Sequence, residues 1–168
     1  MHMTELTTER LRLRPFRTDD AGALNRINSR SEVMRYIGKP VETIRNTEDY
    51  LRESVLADYS KYGFGRHAVI EQHSGELIGF CGLKYLPDLD EVDIGYRLHP
   101  DYWGLGYATE AGQATMKFGR EKLGLSRIIG IAMDENTASI EVLKKLGLKP
   151  DGRVNHLGTE CARFLWQA

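Results

Sequence analysis

Between Glu91 and Leu98 apolar and polar positions alternate: Val92, Ile94, Tyr96 and Leu98 stand against Glu91, Asp93, Gly95 and Arg97. A period of two is that of a strand with two unlike faces. Past Gly106 the period lengthens, and Tyr107, Ala111, Ala114 and Phe118 fall near one helical face. The spacing predicts a helix over 107–123, with Gly124 placed to cap its C-terminus. Arg127 to Ala132 reads as a strand again. Strand, helix, strand predicts a right-handed crossover between parallel neighbours.

The rest of the chain yields to the same reading. Leu11, Leu13 and Pro15 alternate with arginines in a short first strand, and Thr18-Asp19-Asp20 opens a helix carrying Ala21, Leu24, Ile27 and Asn28. A second helix is predicted within Thr43 to Lys61, its apolar face formed by Tyr50, Leu51, Val55, Leu56 and Tyr59. Ser31 to Pro40, between them, has no period and reads as irregular. His67–Ile70 and Leu77–Leu83 flank His73-Ser74-Gly75-Glu76 as a hairpin, and Pro87-Asp88-Leu89-Asp90 makes the next turn. Asp134 to Ser139 opens the last helix, with Val142, Leu143 and Leu146 as its buried stripe and Gly147-Leu148 as its stop. Strands around Lys149–Asn155 and Glu160–Trp166 end the chain. The order is β-α-α-β-β-β-α-β-α-β-β, with no repeat, linker or low-complexity segment.

Composition narrows the function classes. At 168 residues the chain holds one domain with a real core. Met1-His2-Met3 reads as a cloning scar or disordered start outside the fold, which leaves a single domain over 4–168. A net charge of −1 and the lack of a Lys/Arg run argue against nucleic acid as the main partner. No apolar stretch approaches the ~20 residues of a membrane span. Cys81 and Cys161 sit in apolar runs and read as buried free thiols in a reducing, cytoplasmic setting rather than a disulfide or metal site.

The candidate chemistry lies in Trp103-Gly104-Leu105-Gly106-Tyr107-Ala108. Two glycines one residue apart let a backbone turn tightly and approach a ligand. The amides so exposed precede a helix, where unpaired N–H groups and the helix dipole favour an anion. A phosphate-bearing ligand held by main chain is one reading; an ordinary strand-to-helix turn is the other. No Walker sequence is present, and a dinucleotide fingerprint fails because Thr109 stands at its sixth position.

Tyr102 to Ala111, YWGLGYATEA, resembles the acetyl-CoA diphosphate loop of the GCN5-related N-acetyltransferases, in the branch of the ribosomal-protein alanine and serine N-acetyltransferases. The superfamily pattern [RQ]-x-x-G-x-[GA] is matched except at its first place, which holds Asp101. The resemblance covers nearly the whole chain. It implies an α/β (α+β) fold with a mixed central sheet of about seven strands, splayed between the fourth and fifth, and about four helices. It implies acetyl-CoA as cosubstrate, no metal, a primary-amine acceptor and a monomer or homodimer. Trp103, Gly104, Leu105, Gly106, Tyr107, Ala108 and Thr109 would hold the diphosphate.

Acetyl transfer needs a deprotonated amine, a polarised thioester carbonyl and a proton for the thiolate; alkylamines have a pKa near ~10, so a base or a desolvating pocket is required. Asp93 stands where the branch usually carries Glu, a proposed general base; the shorter side chain favours a water relay. Its plain alternative is a same-face ion pair with Arg97. Glu91 is the next candidate base. The resemblance implies a bulge that frees the main-chain amide near Leu98 to polarise the carbonyl. Asn136 and Ser139, in an N-x-x-S-x-x-x-L-x-x-x-G-[FL] context, resemble the residues that hold the pantetheine arm and protonate its sulfur; as plain helix-start residues they would cap instead. His99, before Pro100, reads as a loop residue. Tyr36, Phe64, Arg66 and His67 are acceptor-pocket candidates, although His67 stands where the branch often has Trp. The alternatives to an enzyme are a non-catalytic acyl-CoA-binding domain and an unrelated nucleotide-phosphate binder.

Overall fold

The computed structural model describes residues 3–38, 40 and 43–168. One sheet of eight strands runs in the order β1-β2-β3-β4-β5-β6-β8-β7. The strands are β1 (Leu6–Thr7), β2 (Leu11–Pro15), β3 (Arg66–Glu71), β4 (Leu77–Leu86), β5 (Glu91–Leu98), β6 (Arg127–Ala132), β7 (Lys149–His156) and β8 (Thr159–Gln167). Among the described residues only β5 and β6 are parallel neighbours, linked by α5 (Tyr107–Glu121) as the crossover rule requires. The expected seven strands become eight because Leu6–Thr7 adds a two-residue edge against β2.

Three helical segments cover one face. They are α1 (Ala21–Asn28), α2 (Ser31–Met34) and a continuous helix made of α3 (Ile44–Tyr50), a π-helical stretch (Leu51–Leu56) and α4 (Ala57–Tyr62). Helix α2 was not expected in the aperiodic Ser31–Pro40 stretch; Val33 and Met34 bury beside Ile27, which secures a turn too short to show a period. Helices α5 and α6 (Thr137–Lys145) cover the other face. The alternation of β4 divides the core between the faces. Phe80 packs with Leu24, Leu51, Val55 and Tyr59, whereas Cys81 and Leu83 face the α5 side. Burying each such side chain contributes about 1.5–3 kcal/mol. Met3, read as outside the fold, is 9% exposed and packs in the first of these clusters. Met1 and His2 lie outside the described residues.

Pairing strength differs sharply along the middle of the sheet. Strands β4 and β5 are in register over eight pairs, from Gly79↔Leu98 to Leu86↔Glu91. Strands β5 and β6 share the single pair Asp93↔Ile129. The two therefore diverge toward the C-terminal end of β5, which is the expected splay between fourth and fifth strands once the short edge strand is set aside.

Candidate active site

The divergence opens a cavity of about 410 Å³ through the middle of the sheet. On the α5 and α6 side its walls include Tyr96, Asn136 and Ser139; on the α1 side they include Tyr36, Arg66, Phe80, Asp93 and Arg97. Main-chain groups of β5 point into it. The His99 N–H donates to Ile78 O of β4 at 2.8 Å. Successive residues of a strand turn their backbone groups to opposite sides, so those of Leu98 and Tyr96 face β6, across the gap. Leu98 O accepts the Trp103 indole N–H at 2.9 Å, and the Leu98 amide faces the opening. The expected bulge is absent from the β4–β5 pairing. The register shift lies one strand away, where β3 meets β4 near Ile78; the splay, not a bulge, turns the Leu98 amide toward the gap.

The glycine loop stands at the C-terminal end of β5. A single turn, Pro100–Tyr102, leads into it, with His99 Nδ1 accepting the Asp101 N–H at 3.2 Å, so His99 is a turn residue as expected. Gly104 and Gly106 hold φ of +73° and +82°, a left-handed conformation that costs side-chain-bearing residues roughly 1–2 kcal/mol. Glu110 N–H donates to Gly106 O at 3.0 Å, which leaves the amides of Tyr107, Ala108 and Thr109 without partners inside α5.

What fixes the loop comes from the other end of the chain and had no signal in the sequence reading. Arg10 donates from Nη1 to Leu105 O at 2.9 Å and from Nε to Glu110 Oε1 at 2.7 Å, and its guanidinium lies 4.2 Å from the Tyr107 ring centroid. Glu110 Oε2 accepts from Thr8 Oγ1 and the Arg10 amide. Burial pushes the Glu110 carboxyl up, but these donors together outweigh it and hold its pKa below the ordinary value. The Glu110 carboxylate, in the first turn of α5, is thus engaged by Thr8 and Arg10.

The opposite side of the gap is built from charged side chains. Arg66 of β3, Gly82 of β4 and Gly95 of β5 stand in one row across the sheet. The two glycines clear a path: a Cβ on Gly95 would come within 2.8 Å of the Arg66 guanidinium, and one on Gly82 within 2.7 Å of Arg66 Cα. Along that path Arg66 donates to Gly82 O and reaches Asp93 Oδ1 at 3.0 Å. Asp93 is thus ion-paired, but with Arg66 rather than with Arg97. Arg97 instead donates to Asn28 Oδ1 at 2.8 Å and lies over Phe80, 4.8 Å from the ring centroid.

Asp93, Ser139, Asn136, Tyr36 and Arg66 all border the cavity. Asn136 caps α6, Oδ1 accepting the Ser139 N–H at 3.3 Å, and its amide nitrogen remains a donor. Three expected site residues lie elsewhere. His67 is 1% exposed on the α5 face, Nε2 against Thr4 O at 2.9 Å and the ring edge-on to Phe118; it neighbours Arg66 on a strand, so it faces the other way. Phe64 packs into core clusters instead of lining the cavity. Glu91 is held by Arg127 at 2.7 Å at the start of β5, outside the cavity lining. Several lining residues were not expected, among them Phe80, Arg97 and Tyr96. Tyr96 follows Cys81 onto the α5 face; burial raises its pKa against a smaller opposing interaction with Ser139.

A splayed sheet, a glycine loop of free amides and a cavity between them define an acyl-CoA-dependent transferase. The family model described as acetyltransferase (GNAT) domain matches residues 10–149. An N-acetyltransferase of Bacillus licheniformis, p20, not itself characterised, is 33% identical over 89% of this chain and 85% of its own. The spermidine N(1)-acetyltransferase of Escherichia coli K12 is 27% identical over 87% and 76%. Among solved structures, a GNAT-family acetyltransferase from Bacillus anthracis superposes with a TM-score of 0.79 at 30% identity over 96% of both chains. The ribosomal-protein-S5-alanine acetyltransferase of Vibrio fischeri does so with 0.80 at 18% identity over 98% and 96%, a likeness of fold. The chain belongs to the GNAT acetyltransferase family.

Proposed function

We propose that the enzyme moves an acetyl group from acetyl-CoA to a primary amine that enters from the α1 side of the gap, both bound at once. The loop amides from Gly104 to Thr109 would hold the diphosphate, and Asn136 the arm that runs along the β5–β6 opening. These groups fit: the glycines lack side chains at the approach, and the one carboxylate in the first turn of α5, Glu110, is engaged by Arg10 and Thr8. Acetyl-CoA, when bound, supplies an activated acyl carbon, to which the C–N bond forms as the C–S bond breaks.

The remaining steps belong to the chain's own groups. The Leu98 amide, aimed into the gap, donates to the carbonyl oxygen as charge develops there. Asp93, fixed by its ion pair with Arg66 at 3.0 Å, attracts the ammonium form of the acceptor and passes its proton outward through water. Ser139, with Tyr96 beside it, returns a proton to the departing thiolate. A cytoplasmic setting accords with two buried free thiols, Cys81 and Cys161. Among the described residues no helix is long and apolar enough to cross a membrane, and no cluster of three or more His, Cys, Asp or Glu side chains could hold a metal ion.

The carrying observation is the placement of the glycine loop at the mouth of a gap closed by a single bridge pair. The test is thiol release from acetyl-CoA over an amine library, with calorimetric CoA binding alongside. Asp93→Asn should lower turnover about 100-fold while CoA affinity holds. CoA binding without release against any amine would leave an acyl-CoA-binding domain in place of an enzyme.

A further inference from the structure

The ionic groups that border the cavity are Arg66, Asp93, Arg97 and His156. Asp93 is bound to Arg66 at 3.0 Å, and His156 to Asp88 at 2.7 Å. Arg97 has no acidic partner among the described residues. Its Nη1 is satisfied by the neutral amide of Asn28, itself 2% exposed, while its Nε is buried with no partner at all. Burial lowers the Arg97 pKa; Tyr50 opposes this, and the weaker repulsion of Arg66 adds to it. Both guanidinium groups lie against the same ring, Phe80, at 5.8 and 4.8 Å from its centroid. Among the described residues, two cations therefore share one anion at the α1 end of the cavity.

A buried cation without a counter-charge is costly, and the cost is relieved when an anion arrives with hydrogen-bond acceptors to match. The diphosphate does not answer this need. Arg97 projects with Asp93 and Gly95 to the α1 face, where it meets Asn28, whereas the glycine loop leads into α5 on the other. The free anion must come with the acceptor. A polyamine would bring further positive charge to a region already positive.

We propose that Arg97 receives the carboxylate of the acceptor, and that the natural acceptor is a small amino acid-like molecule: an amine at one end, a carboxylate at the other. This rests on the acetyl-transfer reading. The amine nitrogen lies toward Asp93 and the carboxylate toward Arg97, on the Phe80 surface between them. Nitrogen attacks the acyl carbon and loses one proton through Asp93; the thiolate leaves with the C–S electron pair and takes one proton. The carboxylate takes no part in bond making. A cavity of about 410 Å³ that must also admit the thioester keeps the acceptor small.

The test compares amino acids with their own carboxamides, which keep the amine and lose the charge. In steady state the wild-type enzyme should favour the acid by about 30-fold or more in kcat/KM, although the carboxamide holds more free amine at neutral pH. Arg97→Met should raise KM for the acid and bring the ratio to within about threefold, Arg97→Lys should recover part of it, and CoA affinity should stay unchanged in both. A wild-type enzyme that acetylates carboxamides or diamines as well as acids overturns the inference. A calorimetric comparison of N-acetylamino acids with N-acetylamino amides, in the presence of CoA, reads the Arg97 site without turnover. Preferential binding of the acids, lost in Arg97→Met, supports the carboxylate site even if transfer fails; equal binding removes it even if transfer succeeds.

Discussion

The two sides of the β5–β6 gap are made of different material. On the α5 side the ligand-facing groups are main-chain amides, placed by two left-handed glycines and the start of a helix. On the α1 side they are side chains: Arg66 across two glycines, Asp93 beneath it, Arg97 over Phe80. Amides are the same in every protein, so the first side recognises a constant part of the substrate pair. Side chains change with single codons, so the second side can set the variable part. In the proposed function the backbone holds the cosubstrate and a few charged residues choose the acceptor.

That contrast can be broken from either side. The largest effect is expected on the acceptor side. Arg66→Leu strands Asp93 without its cation, which should cost about 3–5 kcal/mol in chemical denaturation, and Arg66→Leu/Asp93→Leu should recover most of it. If the double variant is no more stable than the single one, the pair is not what holds this face. Next comes the loop. Gly106→Val places a branched side chain at φ +82° beside Arg10, and should weaken CoA binding about 100-fold in calorimetry, or about 2.7 kcal/mol, with a loss of about 2–8 °C in melting temperature from the strained φ. Undiminished affinity would contradict the main-chain account of that side.

Ser139→Ala should lower kcat about tenfold with CoA affinity within twofold; an unaltered rate would remove it from the mechanism. Loss of the Arg10 clamp should be milder. Glu110→Gln keeps the shape but weakens three charge-assisted bonds, for about a threefold loss of CoA affinity. The pH dependence follows from sign. The folded pKa of Glu110 lies below the ordinary 4.5, so the clamp is complete above that value and is lost as pH falls through the lower folded one. Stopped-flow CoA binding should therefore show no clamp-related change between neutral pH and 4.5.

How far the sequence disclosed all this divides along the same line. The fold was readable because periods of two and 3.6 survive in β5, α5 and α6, and Gly104 and Gly106 announce a main-chain site locally. The partner of Asp93 was not readable. Arg97 stands on the same strand face, but Arg66 reaches Asp93 across β4 only because Gly82 and Gly95 fall in register with it. That coincidence of three strands is invisible without the pairing. His67 was misplaced for a related reason: its neighbour Arg66 faces the cavity, so alternation sends His67 to the core. Arg10, about a hundred residues from the loop it braces, carried no mark at all.

The central claim is that backbone nitrogens at the start of α5 bind the diphosphate of coenzyme A, and a crystal structure with acetyl-CoA tests it most directly. The account predicts diphosphate oxygens within hydrogen-bond distance of amides between Gly104 and Thr109, with the acyl end in the β5–β6 gap. A diphosphate bound by side chains elsewhere, with those amides facing solvent, would contradict it.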